Sequence, residues 1–251
     1  MKITILGCGT STGVPKIGGK WGVCDPKNPK NRRRRSSIFV EDRGSRILID
    51  SSPDLREQCL DANISHIDGV LYTHDHADHT HGIDDLRAIS HIMKRKLDAY
   101  ADARTLALLK RRFDYIFTSK QGYPAILEGH QIDPSPFQIG AVDIQPFELI
   151  HGNIRTLGFR LDKMAYCTDL NAIPEESEIH LKGLDLWIVD ALRPAPHPTH
   201  SHLEQTLAWI EKYQPKRAIL THMTWDMDYE SLKKTLPKHV EPAYDGMVLN
   251  I

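Results

Sequence analysis

Four side chains that bind divalent metals lie within six residues of this chain: His74, His76, Asp78 and His79. In extended backbone, side chains two residues apart point to the same side, so the rings of His74 and His76 would share one face. The apolar run at residues 70–72 predicts a buried strand that anchors the cluster. Because imidazole and carboxylate groups are ligands of zinc and related ions, the segment is predicted to form part of a metal site and not a solvated polar loop.

Three single donors follow other apolar runs of the chain. They are His151, Asp169 and His222, and each comes within two residues of the end of a predicted strand. A zinc site prefers about four ligands, so two ions need more ligands than residues 74–79 supply. We therefore predict that these three side chains complete a centre for two divalent ions.

The elements that must position these donors are strands at both ends of the chain, with helices between them. Strands are predicted at residues 3–6, 38–40, 47–50, 68–72, 142–150, 155–161, 163–167, 186–189, 217–220 and 247–251. Helices are predicted at residues 84–93, 103–117, 201–213 and 228–236, and another begins with Ser52 as N-cap and Pro53 at the first helical position. Residues 118–136 are predicted to form a long loop over the site. This pattern favours one α/β domain, residues 1–251, over a doubly wound sheet, in which strands and helices alternate more regularly.

Composition excludes several classes of protein. With 40% hydrophobic and 26% charged residues, the chain is expected to be a soluble globular protein with a substantial core. A formal net charge of −1 argues against a general nucleic-acid or membrane-surface binder. The four cysteines are scattered, which indicates reduced thiols, and no apolar run is long enough for a signal peptide or a membrane span. We therefore expect a cytoplasmic protein that has no membrane partner.

The order of the donors resembles that of the metallo-β-lactamase fold hydrolases. The signature of this family is Thr-His-x-His-x-Asp-His followed by a lone His, a lone Asp and a lone His. This chain carries it at residues 73–79 and then at His151, Asp169 and His222. The resemblance covers nearly the whole chain. It implies an αββα sandwich of two mixed sheets flanked by helices, with the site at one edge.

The resemblance also implies a role for each donor. One ion would be bound by His74, His76 and His151, the other by Asp78, His79 and His222, and Asp169 would bridge them. The bridging role suits a carboxylate because it has two oxygens, whereas a neutral imidazole offers one free lone pair. The ions are expected to be zinc or manganese, although His/Asp sites of this kind also accept iron.

Other segments resemble the phosphodiesterase branch of the family, which includes tRNase Z and the PhnP-type cyclic phosphodiesterases. The branch resemblance lies in the glycine-rich residues 7–15 and in residues 244–247. By the same resemblance, His200 corresponds to a catalytic histidine of PhnP-type enzymes and, with Asp78, is a predicted catalytic residue. His200 would donate a proton to the leaving alkoxide or hydrogen-bond a phosphoryl oxygen, and the sequence leaves both roles open.

Two departures from the branch are visible. PhnP-type enzymes of phosphonate breakdown carry several cysteines that help to hold a structural zinc, whereas this chain has only Cys24 there and Trp225 in place of a further histidine. We therefore expect no third metal. The long glycine- and proline-rich arm with which tRNase Z grips tRNA is not recognisable either, which counts against a tRNA substrate.

The predicted function is hydrolysis of a small phosphodiester, which could be cyclic, nucleotide-like or ribosyl, by a hydroxide that bridges two metals. The alternatives are an RNA-processing nuclease related to tRNase Z, a thioester or lactam hydrolase, and a metal- or nucleotide-binding protein without turnover. The expected partners are a small phosphodiester or nucleotide substrate and, from the relatives, a second copy in a homodimer.

Several other residues have open or alternative interpretations. Asp50 ends a predicted strand, and it either supports a metal-binding histidine or is a turn carboxylate. The basic run at residues 32–35 could contact a phosphate, although solvated basic faces are the commoner outcome. His81 and His202 are near the predicted site but have no assigned role. Residues 7–13 have the spacing G-x-G-x-x-x-G, which differs from the dinucleotide-binding fingerprint, so we expect these glycines to allow close backbone approach beside the site.

Overall fold

The computed structural model describes residues 1–120 and 122–251. Their strands form two seven-stranded sheets, and each sheet contains both parallel and antiparallel pairs. The helices lie outside the two sheets. The predicted αββα sandwich of two mixed sheets is therefore confirmed.

The first sheet is built mainly from the N-terminal half of the chain. Its strands are β1 (Lys2–Gly7), β2 (Ser37–Asp42), β3 (Ser45–Ile49), β4 (Gly69–Leu71), β5 (Leu97–Ala101), β6 (Leu127–Gln131) and β14 (Val248–Asn250). They lie in the order β14-β1-β2-β3-β4-β5-β6. β2 and β3 form the predicted antiparallel hairpin, and the pairs from β3 to β6 are parallel. The carboxyl ends of these parallel strands therefore meet at one edge of the sheet.

The second sheet comes from the C-terminal half. Its strands are β7 (Phe137–Ile139), β8 (Val142–His151), β9 (Ile154–Leu161), β10 (Met164–Cys167), β11 (Leu186–Asp190), β12 (Arg217–Thr221) and β13 (Val240–Pro242). They lie in the order β13-β12-β11-β10-β9-β8-β7. The strands β10 to β13 are parallel, and β7 to β10 are paired antiparallel.

The helices are short. They are α1 (Leu55–Asp61), α2 (Ala77–Thr80), α3 (Leu86–Met93), α4 (Ala103–Arg112), α5 (Asp114–Phe117), α6 (Leu203–Tyr213) and α7 (Tyr229–Thr235). Short 3-10 helices lie at Pro29–Asn31, Ile83–Asp85 and Glu175–Leu181. Among the residues that the structure describes, no helix has the length and apolar character to span a bilayer.

Two hydrophobic clusters hold the layers together, and β2 contributes to both. Ile38 and Val40 belong to the cluster between the sheets, which also contains Phe147 and Phe159 of the second sheet. Phe39 belongs to the cluster between the first sheet and its helices. Because successive strand residues point to opposite faces, a strand buried on both faces has a continuous apolar run. Such runs are why these buried strands could be predicted from the sequence.

The start of the first helix differs from the prediction. The helix begins at Leu55, with Asp54 and not Ser52 at its N-cap position. The Ser52 hydroxyl oxygen accepts from the Asp54 N–H at 3.2 Å, and the Ser52 carbonyl accepts from the Leu55 N–H. Ser52 therefore closes a turn before the helix, because short polar side chains compete with helical backbone bonds.

The predicted helix at residues 103–117 is broken. Phe113 has φ −125° and ψ 40°, which separates α4 from α5. The predicted loop at residues 118–136 contains β6, which pairs with β5, and Gln121 in this segment lies outside the described residues. The strands β5, β6, β7 and β13 were not predicted. They are short and partly polar, so sheet pairing and not local pattern decides their structure.

Candidate metal centre

Strand ends from both sheets bring the first group of donors together. His74 and His76 follow β4, His151 ends β8, and Asp169 follows β10. One ligand atom from each of these residues lies within 4.8 Å of the others. The rings of His74 and His76 have centroids 4.5 Å apart, as expected for two side chains on the same side of the chain.

A second group shares Asp169 with the first. Asp78 and His79 lie in the four-residue helix α2, and His222 follows β12. Asp78, His79, Asp169 and His222 each offer a ligand atom within 4.8 Å of the others. The structure thus brings together all seven predicted donors, in the two groups that the family resemblance implied.

The two oxygens of Asp169 face different groups. Oδ1 lies 3.1 Å from His79 Nε2 and 3.2 Å from His222 Nε2. Oδ2 lies 3.7 Å from His74 Nε2 and 3.9 Å from His151 Nε2. This is the arrangement that a bridging carboxylate requires.

Unpaired nitrogen atoms show that the donors fit a divalent metal. Among the described residues, the buried Nε2 atoms of His74 and His79 have no partner in hydrogen-bond geometry. A buried polar atom without a partner costs free energy. Both atoms face the Asp169 carboxylate, and a cation bound among these donors would satisfy them. The fold and these clusters therefore fit divalent metal binding.

Several donor rings are oriented by a contact on their other nitrogen. His151 Nδ1 lies 2.6 Å from the Thr199 carbonyl oxygen, which can only accept, so this nitrogen donates and Nε2 keeps its lone pair. His79 Nδ1 lies 2.7 Å from Asp50 Oδ2. Asp50 is fully buried, and it also accepts from the Thr73 N–H and hydroxyl. Of the two roles considered for Asp50, the geometry favours the support of a donor histidine.

His200 lies beside the two groups and is held by a carboxylate that the sequence analysis missed. His200 Nδ1 is 2.9 Å from Asp190 Oδ2, and its Nε2 is 3.8 Å from Asp169 Oδ2. Asp190 is fully buried at the end of β11, and its Oδ1 is 4.0 Å from His222 Nδ1. Asp190 comes directly after the apolar run at residues 186–189. The criterion that identified Asp169 and His222, a single donor at the end of an apolar run, could therefore have identified Asp190 as well.

The surroundings of His200 favour its protonated form. Burial lowers the pKa of His200, but the hydrogen bond to Asp190 and the charge of Asp169 outweigh burial and raise that pKa to about 9. In contrast, burial holds the pKa of His74 well below its usual value, so its ring is neutral. A neutral ring can bind a metal, and a protonated ring can donate a proton.

The backbone is unusual at three of these residues. Asp50, Asp169 and His222 have φ values of 65°, 52° and 57°, in the left-handed region that non-glycine residues rarely adopt. Asp50 and His222 directly follow a strand and Asp169 comes two residues after one, so the chain turns sharply at the side chain that faces the site. Such conformations cost about 1–3 kcal/mol each and persist where the surrounding structure enforces them.

The glycine-rich loop lies beside His222. The Met223 N–H donates to the Cys8 carbonyl at 2.9 Å, and the Thr10 N–H donates to the Met223 carbonyl at 3.3 Å. A Cβ on Gly9 would lie 2.8 Å from the Arg33 Cβ, which is too close. The glycine is therefore required by close approach of two backbone segments, as expected from the sequence.

The basic run at residues 32–35 is largely bound within the protein. Arg33 is 2% exposed, and its guanidinium donates to the carbonyls of Thr224 (3.0 Å) and Met227 (2.6 Å). Arg34 pairs with Asp61 and Arg35 with Asp54. The Arg33 guanidinium also lies 3.7 Å from the thiol of Cys24, whose sulfur is 3.3 Å from the Trp225 carbonyl oxygen. These contacts give most of the run a structural role and leave little for a phosphate contact.

Of the two histidines without an assigned role, His81 packs its ring against Phe113, with centroids 5.3 Å apart. His202 occupies the N-cap position of α6 without a side-chain cap bond. Neither belongs to the groups of donors found among the described residues.

Comparison with known proteins gives one family and one sequence relative. Residues 45–223 match the family model described as the beta-lactamase superfamily domain. A Porphyromonas gingivalis (strain ATCC BAA-308 / W83) protein named octanoyltransferase is 36% identical in an alignment of 253 residues that covers 98% of this chain. The chain spans 51% of that relative, about half of its length.

Two solved structures extend the comparison. A crystal structure described as a new diphosphatase from the PhnP family is 39% identical, with a TM-score of 0.93 over 99% of this chain and 96% of its own. Human tRNase Z, short form, is 18% identical, with a TM-score of 0.75 over 100% of this chain and 99% of its own. The second likeness concerns the fold alone. The resemblance inferred from the order of the donors is confirmed.

Proposed function

The chain belongs to the beta-lactamase superfamily, and on that basis we propose that it is a binuclear metal-dependent hydrolase of a small phosphodiester. The observation that carries the proposal is the arrangement around Asp169, where two groups of donors meet and His200 stands beside them. The similar diphosphatase of the PhnP family supports chemistry at phosphorus. Its activity widens the candidate substrates to small diphosphates, which present the same phosphoryl oxygens.

The proposed ligand sets follow the two groups. One ion would be held by His74, His76 and His151, the other by Asp78, His79 and His222, with Asp169 between them. Two divalent ions in these positions would activate water at neutral pH and stabilise negative charge on a phosphoryl group. The surrounding contacts of Asp50 and Thr199 keep the rings oriented for this task.

His200 is the proposed proton donor. Asp190 holds its Nδ1, which leaves Nε2 directed towards Asp169 and the donor groups. The protonated ring would give the Nε2 proton to the leaving oxygen as the bond to phosphorus breaks. Asp190 would act through His200 by fixing the ring and by favouring its protonated form.

A second candidate, hydrolysis of an acyl thioester, is favoured by the 36% identity to the protein named octanoyltransferase. Half of that relative lies outside the matched region, so its acyl transfer need not involve this part. Phosphoryl hydrolysis is therefore the proposal that we carry forward.

The likeness to tRNase Z gives no further support to an RNA substrate, because at 18% identity it concerns the fold alone. The 39% identity to the diphosphatase structure instead supports a small substrate. A homodimer and a cytoplasmic location are carried over from the sequence analysis as expectations.

The proposal is tested by the hydrolysis of three substrates with zinc or manganese and with a chelator. They are bis-p-nitrophenyl phosphate, a dinucleoside diphosphate and an octanoyl thioester. We expect chelator-sensitive turnover of a phosphorus substrate that is lost in Asp169→Ala and kept in His239→Ala, since His239 is exposed and is not a donor. Turnover of the thioester alone would replace the proposal with the second candidate. No turnover of any substrate by protein with two bound ions would contradict both.

A further inference from the structure

Asp75 lies between two donor histidines but belongs to neither group of donors. It separates His74 from His76, and its carboxylate lies against arginine side chains and not among the donors. Its side chain is only 4% exposed. A buried carboxylate is costly unless it is paired and hydrogen-bonded, so this position requires partners.

Two arginines of α4 form ion pairs with Asp75, and one of them, Arg112, also donates hydrogen bonds. Arg104 Nη1 lies 2.8 Å from Asp75 Oδ1, and Arg112 Nη2 lies 3.0 Å from Asp75 Oδ2. Arg112 also donates through Nη1 to the main-chain carbonyl of Asp75. One guanidinium therefore binds both the side chain and the backbone of the residue between two donors. A lysine could not reproduce this, because its ammonium lacks the planar fork of Arg112.

Among the described residues, the other contacts that hold the backbone of these donors lie at its two ends. Thr73 is fixed through its N–H and hydroxyl to Asp50, and its carbonyl accepts from the Leu157 N–H. His76 is at the N-cap position of α2. Residues 74 and 75 between these anchors lie outside the helices and strands of the described chain. The Asp75 contacts lie at the point where a small backbone rotation would move both rings.

We propose that Asp75, held by Arg104 and Arg112, is a positioning residue that fixes His74 and His76 for metal binding. This rests on the proposed function, because it requires that the two histidines bind an ion. The pair of arginines links the donor segment to α4, so the packing of that helix sets the spacing of the two imidazoles. Contacts that orient ligands from outside typically change metal affinity by about 10–100-fold.

The test is a zinc titration of the metal-free protein against a chromophoric chelator, with the unfolding temperature of the metal-free protein measured in parallel. Asp75→Asn keeps the shape but removes the charge, and Arg112→Lys keeps the charge but removes the double contact. We expect both variants to bind the ion at His74 and His76 about 10–100-fold more weakly than wild type. Arg104→Ala should show a smaller loss, since that side chain is 51% exposed.

Arg111→Ala is the matched control, because Arg111 is the exposed neighbour of Arg112 in the same helical turn. It should bind zinc with wild-type affinity. Folded Arg112→Lys and Asp75→Asn proteins that bind two zinc ions as tightly as wild type would overturn the proposal. If Asp75→Asn does not fold, the comparison of Arg112→Lys with Arg111→Ala decides. A wild-type protein that binds no zinc would instead contradict the proposed function itself.

Discussion

The two halves of the molecule supply the candidate site in different ways. The N-terminal half gives four donors from one short segment that follows β4 and includes α2, whereas the C-terminal half gives three single donors, each at a different strand end. The N-terminal donors are steadied by buried carboxylates, Asp50 and Asp75. In the C-terminal half, Asp190 contacts both His200 and His222.

This difference shows what holds the donor side chains in place in each half. A donor segment that is partly outside regular structure needs side-chain contacts to keep its shape, which explains the arginines and carboxylates around residues 73–79. A donor at the end of a strand inherits its position from the sheet, so one orienting contact is enough. Loss of an orienting contact should therefore have different effects on activity and metal binding in the two halves. The following variants measure these effects.

The largest effect is expected where the two halves meet. Asp169→Ala removes the carboxylate that faces both groups of donors, so we expect phosphodiester turnover to fall by about 10³-fold or more. Turnover of bis-p-nitrophenyl phosphate at saturating zinc measures this. A variant that keeps more than about a tenth of wild-type activity would show that the halves act independently.

The next effect isolates the C-terminal half. His200→Ala should lower turnover of a cyclic nucleotide, with its poor alkoxide leaving group, by about 10²–10⁴-fold. Bis-p-nitrophenyl phosphate should be much less affected, because p-nitrophenolate leaves without a proton. Equal losses on both substrates would assign His200 to phosphoryl binding and not to proton donation.

The pH dependence of turnover tests the role of His200 separately. The pKa of His200 is raised to about 9, so its proton is present below that pH and lost above it. Turnover of the alkyl substrate should therefore fall as pH rises through about 9. In Asp190→Asn this fall should move to lower pH, because the bond that raises the pKa is weakened. An unchanged profile in Asp190→Asn would rule out that role for Asp190.

A smaller effect isolates the N-terminal half. Asp50→Asn weakens the contact with His79, so we expect about 10–100-fold weaker metal binding with a smaller loss of turnover at saturating metal. The measurement is activity as a function of zinc concentration. A loss of turnover that added zinc does not relieve would contradict this interpretation.

The smallest effect lies away from both sets of donors. Asp228 caps α7, where it accepts from the Ser231 N–H at 2.9 Å, and Asp228→Ala should cost about 1 kcal/mol of stability and about 2–4 °C in Tm. Thermal unfolding at pH 7 checks this, and metal-dependent turnover should be unchanged. A change in turnover of tenfold or more would mean that the α7 region is coupled to the site.

Much of the fold could be predicted because its buried strands are locally apolar. Residues 38–40, 47–49 and 186–189 are continuous hydrophobic runs, and they lie within β2, β3 and β11. β6 has the polar residues Glu128 and His130 within five positions, so its pattern does not distinguish a strand from a loop. Hydrogen bonding to β5 decides its conformation, and such pairing depends on residues distant in sequence.

By itself, the sequence determined the type and order of the donors, because the chemistry of an imidazole or carboxylate and its place after an apolar run are local properties. The tertiary structure decided which side chains contact and orient these residues. Asp190 reaches His200 across ten positions of sequence, and Arg112 reaches Asp75 across 37. A histidine's second nitrogen and a buried carboxylate take whatever partner the packing of sheets and helices brings within about 3 Å. Only the tertiary structure sets those distances.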